Sequence, residues 1–136
     1  MKKSLAISLF IGGIMFAGLT ALANDTLTTP SGIKYVTIKE GDGIHPTSKQ
    51  TVKVIYCQKS STGKIIESNE LSKPLKFHVD NHEVIAGIDE VVKKMSKGEM
   101  LYCIIPPELS YGKKGVHGHS APNTTLYLYL QVVDIQ

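Results

Sequence analysis

Five histidines and two cysteines are the side chains that could carry metal or nucleophilic chemistry in this chain. His117-Gly118-His119 has a spacing at which two imidazoles can share a metal ion, with His78 or His82 as further ligands. His45 stands apart from both groups. Structural zinc sites usually add cysteines at short spacing, and Cys57 and Cys103 are far apart in the chain. The plainer account is a glycine-rich exposed loop that holds two imidazoles. A cysteine nucleophile would pair Cys103 with a histidine. Cys103 lies in Leu101-Tyr102-Cys103-Ile104-Ile105, a buried-strand pattern, and thiols in apolar surroundings are usually inert. No Gly-x-Ser-x-Gly elbow, Gly-Lys-Ser/Thr phosphate loop or dinucleotide fingerprint occurs. The expectation is a protein without metal or cofactor.

Three other clusters stand out. Val84-Ile85-Ala86-Gly87-Ile88 runs into a segment with helical period. Ile105-Pro106-Pro107-Glu108-Leu109-Ser110-Tyr111-Gly112 is a Pro- and Gly-bounded loop around a tyrosine. Ala121-Pro122-Asn123-Thr124-Thr125-Leu126 enters the last apolar run. Tyr56 and Lys73-Pro74-Leu75-Lys76-Phe77 precede them.

These clusters need elements to hold them. Ile33 to Ile38 reads as a strand, followed by a Gly41-Asp42-Gly43 turn. Val52, Val54 and Tyr56 share one face of the next strand, with Lys53, Ile55 and Cys57 on the other. Ser60 to Gly63 reads as a hairpin turn, and Lys64 to Glu67 and Leu75 to Val79 as short strands. Leu126, Leu128, Leu130 and Val132 alternate with Tyr127, Tyr129 and Gln131, the pattern of a half-buried antiparallel strand. Helical period occurs in the mature chain only where Ile88, Val91, Val92 and Met95 form a stripe opposite Asp89, Glu90, Lys93 and Lys94. Acids first and lysines last suit the helix dipole, and Gly98 reads as the stop. The fold class is α+β, an antiparallel sheet wrapped on one short helix.

The 136 residues fit one domain. With 42% hydrophobic and 20% charged residues the composition is globular, which excludes wholesale disorder. All 15 cations are lysines against 12 acids; the absence of arginine argues against nucleic-acid binding. Met1-Lys2-Lys3, an uncharged apolar run from Leu5 to Leu22 and Ala21-Leu22-Ala23 form the three-part pattern of a secretory signal peptide, residues 1–23. Cleavage would leave a protein outside the membrane, periplasmic or secreted. Residues 24–32 read as a flexible lead-in and 33–136 as the folded domain.

Over residues 33–136, the order and spacing of these clusters resembles the FKBP-type peptidyl-prolyl cis-trans isomerases. The exported form resembles their bacterial macrophage-infectivity-potentiator branch. Residues 24–32 are too few for the N-terminal helical dimerisation domain usual there, so a monomer is expected. The resemblance implies a twisted five-stranded antiparallel sheet wrapped around one short helix, with an apolar pocket between them. It implies catalytic roles for Tyr56, Glu67 and Tyr111. It implies substrate contacts from Ile66, Leu75, Phe77, Val84, Ile85, Ile88 and Leu128, with the Ile85 N–H facing the substrate and Ile88 as the floor. The family commonly has Phe at the positions of Ile66 and Leu128, Trp at Ile88 and Asp at Glu67. The pocket implied is therefore apolar but less aromatic. The partners implied are proline-containing polypeptides, and macrolide inhibitors at low affinity. The alternative is a weak or silent FKBP-like module that binds peptides without turning them over. No disulfide is expected, because Cys57 follows inward-facing Tyr56 whereas Cys103 shares the parity of Leu101 and Ile105.

Overall fold

The computed structural model describes residues 26–118 and 120–136. The strands are β1 (Leu27–Thr28), β2 (Lys34–Lys39), β3 (Thr51–Lys59), β4 (Ile65–Ser68), β5 (Leu75–His78), β6 (Met100–Ile105) and β7 (Leu126–Ile135); the helix α1 spans Ala86–Lys94. All strand pairings are antiparallel, in the order β1-β2-β6-β7-β3-β4, with β5 also on β3. β5 pairs with Thr51 to Val54 and β4 with Cys57 to Lys59, so the two share one flank of β3. The five expected strand positions are therefore β2, β6, β7, β3 and the divided β4/β5.

The expected lead-in supplies a sixth position. Leu27 and Thr28 pair with Tyr35 and Lys34. The turn between closes through Thr29 N–H to Ile33 O at 2.8 Å and Gly32 N–H to Thr29 O at 3.0 Å. Ile33 is fully buried beneath it, so part of 24–32 belongs to the fold. The proposed leader, residues 1–23, lies outside the described residues.

Residues directly opposite in an antiparallel pair share a face. Leu101, Cys103 and Ile105 of β6 oppose Leu130, Leu128 and Leu126 of β7. Together with Val52 and Val54 they form the buried inner face, on which Val91, Val92 and Met95 pack. Each such buried aliphatic side chain contributes about 1.5–3 kcal/mol relative to exposure, and this seam seats the helix.

Two sequence expectations for α1 need correction. Asp89 is buried, not on a solvated face; its Oδ1 accepts the Asp80 N–H at 3.0 Å. The helix ends at Lys94, and Met95 is already extended. Gly98 instead serves the turn into β6, with φ of +88°, a conformation that favours glycine. The outer face carries Tyr102 and Tyr129, their ring centroids 4.9 Å apart. Cys57 opposes Tyr129 and Cys103 opposes Leu128. The thiols thus sit on opposite faces, on strands that flank β7, and both are free. Burial pushes the Cys103 thiol up to about 12, so it is an inert core group.

Candidate functional site: an apolar cleft at the start of the helix

A cleft of about 430 Å³ opens where the N-terminus of α1 meets the sheet. This is a size that takes a few residues of a peptide or a drug-sized ligand. Its sheet side is built by strand alternation. Tyr56 opposes Leu130 and therefore faces inward, with Gln58 two residues on. Gln58 opposes Glu67, which brings that carboxylate to the same side. Leu126 and Leu128 of β7 and Leu75 of β5 complete this wall. Asn69 clamps it: its Oδ1 accepts the Tyr56 N–H at 2.7 Å and its Nδ2 donates to Val54 O at 3.1 Å.

The opposite side comes from the loop between β5 and α1. His82, Glu83, Val84 and Ile85 line the cleft there, and Ile88 of α1 lies at its base. This loop passes through left-handed backbone at Asp80 and His82, with φ of 59° and 55°. Side-chain bonds hold it in that shape. Glu83 accepts the His78 backbone N–H and lies 3.1 Å from His78 Nδ1. Lys93 of the helix reaches Asp80 at 2.8 Å. The His78 backbone N–H, then its side chain, hold the Glu83 carboxyl below its usual range.

Ile85 begins the helix with a backbone carbonyl that accepts the N–H groups of Ile88 and Asp89. Among the described residues no protein acceptor takes the Ile85 N–H, one of the donors that a helix start leaves over. Gly87 lies against β6; a Cβ there would stand 2.4 Å from Ile105 Cγ2 and 3.0 Å from Leu109 O. Its missing side chain lets the helix start sit low enough to floor the cleft.

Tyr111 closes the third side. Its loop is folded back by Gly112 N–H to Pro107 O at 2.8 Å and Asn123 N–H to Gly112 O at 3.0 Å. Ser110 Oγ adds a bond to Thr124 O at 3.3 Å. Burial first, and then the Glu67 carboxylate, raise the pKa of both Tyr56 and Tyr111. Both phenols therefore keep their protons and remain hydrogen-bond donors well into alkaline solution.

Most of the residues named from sequence converge here: Tyr56, Glu67, Leu75, Val84, Ile85, Ile88, Tyr111 and Leu128 all line the cleft. Two do not. Phe77 is 2% exposed and belongs to the core beneath the site. Ile66 is 55% exposed and lines a separate concavity with Lys59, Thr125 and Tyr127. The pairing of Gln58 with Glu67 dictates this, since neighbours on a strand face opposite ways. Sequence reasoning missed Gln58, Leu126, His82 and Glu83. Gln58 and Leu126 were within reach, each being two residues along a strand from a named wall residue. His117 is exposed and outside the cleft, and His119 lies outside the described residues. Among the described residues no three His, Cys, Asp or Glu side chains cluster as metal ligands would.

Among the described residues, an antiparallel sheet, one short α-helix and an apolar cleft at that helix's start make up the frame of the site. A family model for FKBP-type peptidyl-prolyl cis-trans isomerases matches residues 42–133, and the chain belongs to that family. It is 36% identical over 124 residues to a probable FKBP-type peptidyl-prolyl cis-trans isomerase of Haemophilus influenzae, covering 90% of this chain and 51% of that one. It is 35% identical over 107 residues to the peptidyl-prolyl cis-trans isomerase Fkbp12 of Drosophila melanogaster, covering 77% of this chain and 99% of the relative. The crystal structure of FkpA from Escherichia coli superimposes with a TM-score of 0.76 at 30% identity, covering 98% of this chain and 62% of that one. The chain thus spans about half the length of its Haemophilus relative and nearly all of the Drosophila one.

Proposed function

We propose that this cleft rotates X–Pro peptide bonds in polypeptides and so assists the folding of exported proteins. The observation that carries the reading is the meeting, in one apolar cleft, of the unclaimed Ile85 N–H, the Ile88 floor and protonated Tyr111. Rotation of an X–Pro amide must break its resonance, against a barrier near 20 kcal/mol. The twisted amide has a less polar carbonyl than the planar one. A water-poor apolar cleft therefore disfavours the planar form more, and contacts made best by the twisted form add to the effect.

In this reading the proline ring rests on Ile88 between Val84, Ile85 and the Leu75 and Leu128 walls. The Ile85 N–H donates to the carbonyl beyond the proline, and the Tyr111 hydroxyl to a second flanking carbonyl. Glu67 holds Tyr56 in place as a donor at the cleft edge. No covalent step is required. With Ile in place of a larger aromatic floor, turnover is modest and macrolide inhibitors bind weakly. The leader-like residues 1–23 support export to the periplasm or beyond, and the mature domain acts as a monomer.

A protease-coupled assay on peptides of the Ala-X-Pro-Phe type tests the proposal. Isomerisation should accelerate in proportion to protein added, with apolar X preferred because the cleft walls are apolar. Tight peptide binding without acceleration would replace the enzyme by a silent peptide-binding module.

A further inference from the structure

The β4 strand ends the sheet, and among the described residues no other strand pairs with its outer edge. All four of its residues are exposed, including Ile65 at 57% and Ile66 at 55%. Sheet edges with open N–H and C=O groups are templates for another strand, and proteins usually guard them with charge, proline or shortness. Here shortness and one charge, Glu67, are present, but two isoleucines are left in water.

The two faces of this edge each carry a concavity. On the inner face Glu67 borders the cleft just described. On the outer face Ile66 borders a second hollow of about 340 Å³, with Lys59, Thr125 and Tyr127. The hollows are adjacent through single steps of chain, Ile66 to Glu67 on β4 and Leu126 to Tyr127 on β7. A strand laid beside β4 would send alternate side chains to the two faces, towards the cleft and towards the outer hollow in turn.

We infer that an extended segment of the substrate polypeptide, flanking the X–Pro bond, adds to the free edge of β4 and places an apolar side chain at the rim of the outer hollow, against Ile66. This deepens the isomerase reading and rests on it: the cleft takes the proline, and the edge takes the chain that leads to it. Main-chain bonds give such augmentation affinity with little regard to sequence, and the pockets for alternate side chains add preference. Four residues suffice for a pairing of this length but are too few to recruit a long sheet. The occupant is a substrate flank and not a second copy of the chain, because the edge runs directly into the cleft that needs a substrate.

The test compares an acetylated four-residue X–Pro peptide with ten-residue peptides extended on either side by apolar, β-forming residues. Extension on one side should raise kcat/KM roughly tenfold, the worth of about two backbone hydrogen bonds. N-methylation of alternate residues in the extension should abolish the gain. Ile66→Thr should reduce it while leaving the four-residue peptide turned over as before. In hydrogen exchange, the long peptide should protect amides within Ile65–Ser68 and the short one should not. Equal turnover of short and long peptides, with these amides unprotected, overturns the inference and leaves the isomerase reading standing. If neither peptide is turned over, that reading fails by itself; protection of Ile65–Ser68 by the long peptide would still support the edge site, and its absence would sink it.

Discussion

The two sides of the cleft are held in different ways. The sheet side, Tyr56, Glu67 and Leu128, is set by strand register, with Tyr56 opposite Leu130 and Gln58 opposite Glu67. The loop side, Glu83 to Ile85 and the start of α1, is set by a few side-chain bonds: His78 to Glu83, Lys93 to Asp80, and Asp80 N–H to Asp89. A ladder shares its load over many backbone bonds, whereas each loop bond has little to replace it. Damage behind the sheet side should therefore appear as lost stability, and damage on the loop side as lost turnover.

The largest effect expected is behind the sheet wall. Phe77→Ala should destabilise the domain by about 3–5 kcal/mol, because it opens a cavity in the core. Urea denaturation measures this, and a loss below about 1 kcal/mol would return Phe77 to the cleft surface. On the loop side, Asp89→Ala leaves the Asp80 N–H without its acceptor at a cost of about 1–3 kcal/mol. It should also lower kcat/KM in the protein that remains folded, and Asp89→Asn, which keeps an acceptor oxygen, should restore most of both. Equal losses in the two variants would mean that charge, not the loop bond, is what matters.

Smaller effects separate floor from wall. Ile88→Trp adds a few tens of Å² of contact for the proline ring, worth roughly 1 kcal/mol at about 25 cal/mol per Å². Turnover and inhibitor affinity should rise about fivefold, and the only tryptophan in the chain should report bound peptide by fluorescence. An indole silent to peptide, with turnover lowered, would make Ile88 a core residue. Tyr111→Phe should cost about 0.5–1.5 kcal/mol of transition-state binding, a threefold to tenfold loss of rate. An unchanged rate would remove the Tyr111 hydroxyl from the mechanism.

The smallest effect concerns Tyr56. Its pKa is raised by burial first and Glu67 second, so the folded protein holds this proton more tightly than the unfolded chain. The associated stability is complete below the ordinary tyrosine pKa, about 10, and is lost as pH rises through the higher folded value. Glu67→Gln should lower the pKa of Tyr56, with burial keeping it above the ordinary value. Ultraviolet titration of the phenols measures this; no movement would show that Glu67 does not address Tyr56.

How far the molecule could be read from its residues follows the same division. Alternation placed Tyr56, Leu128 and both cysteines on their proper faces, and the stripe from Ile88 to Met95 placed the helix against the sheet. The register of β4 is not legible in the sequence, because its pairing with β3 shifts between Gln58 and Lys59; Ile66, which only the resemblance places in the cleft, lies on the other face. Phe77 enters the cleft only through the resemblance; on a strand whose inner face meets the helix, this Phe is core. The loop wall was hidden for another reason. Asp89 looks like a solvated helix acid until a distant backbone N–H arrives to be satisfied, and nothing local in the sequence announces that partner. The edge strand β1 escaped notice because two residues carry no periodicity.

The central claim is that the cleft lowers the barrier to X–Pro rotation, and exchange NMR on an Ala-Leu-Pro-Phe-type peptide tests it most directly. Uncatalysed, the cis and trans forms interconvert over tens of seconds and show no exchange cross-peaks on the NMR timescale. With protein present far below the peptide concentration, cross-peaks between cis and trans signals should appear and grow with protein concentration, and the Ile85 amide and Tyr111 ring signals should shift as peptide is added. Shifts at those residues without cis–trans exchange, even at equal concentrations of protein and peptide, would contradict the account and leave a cleft that binds proline segments without rotating them.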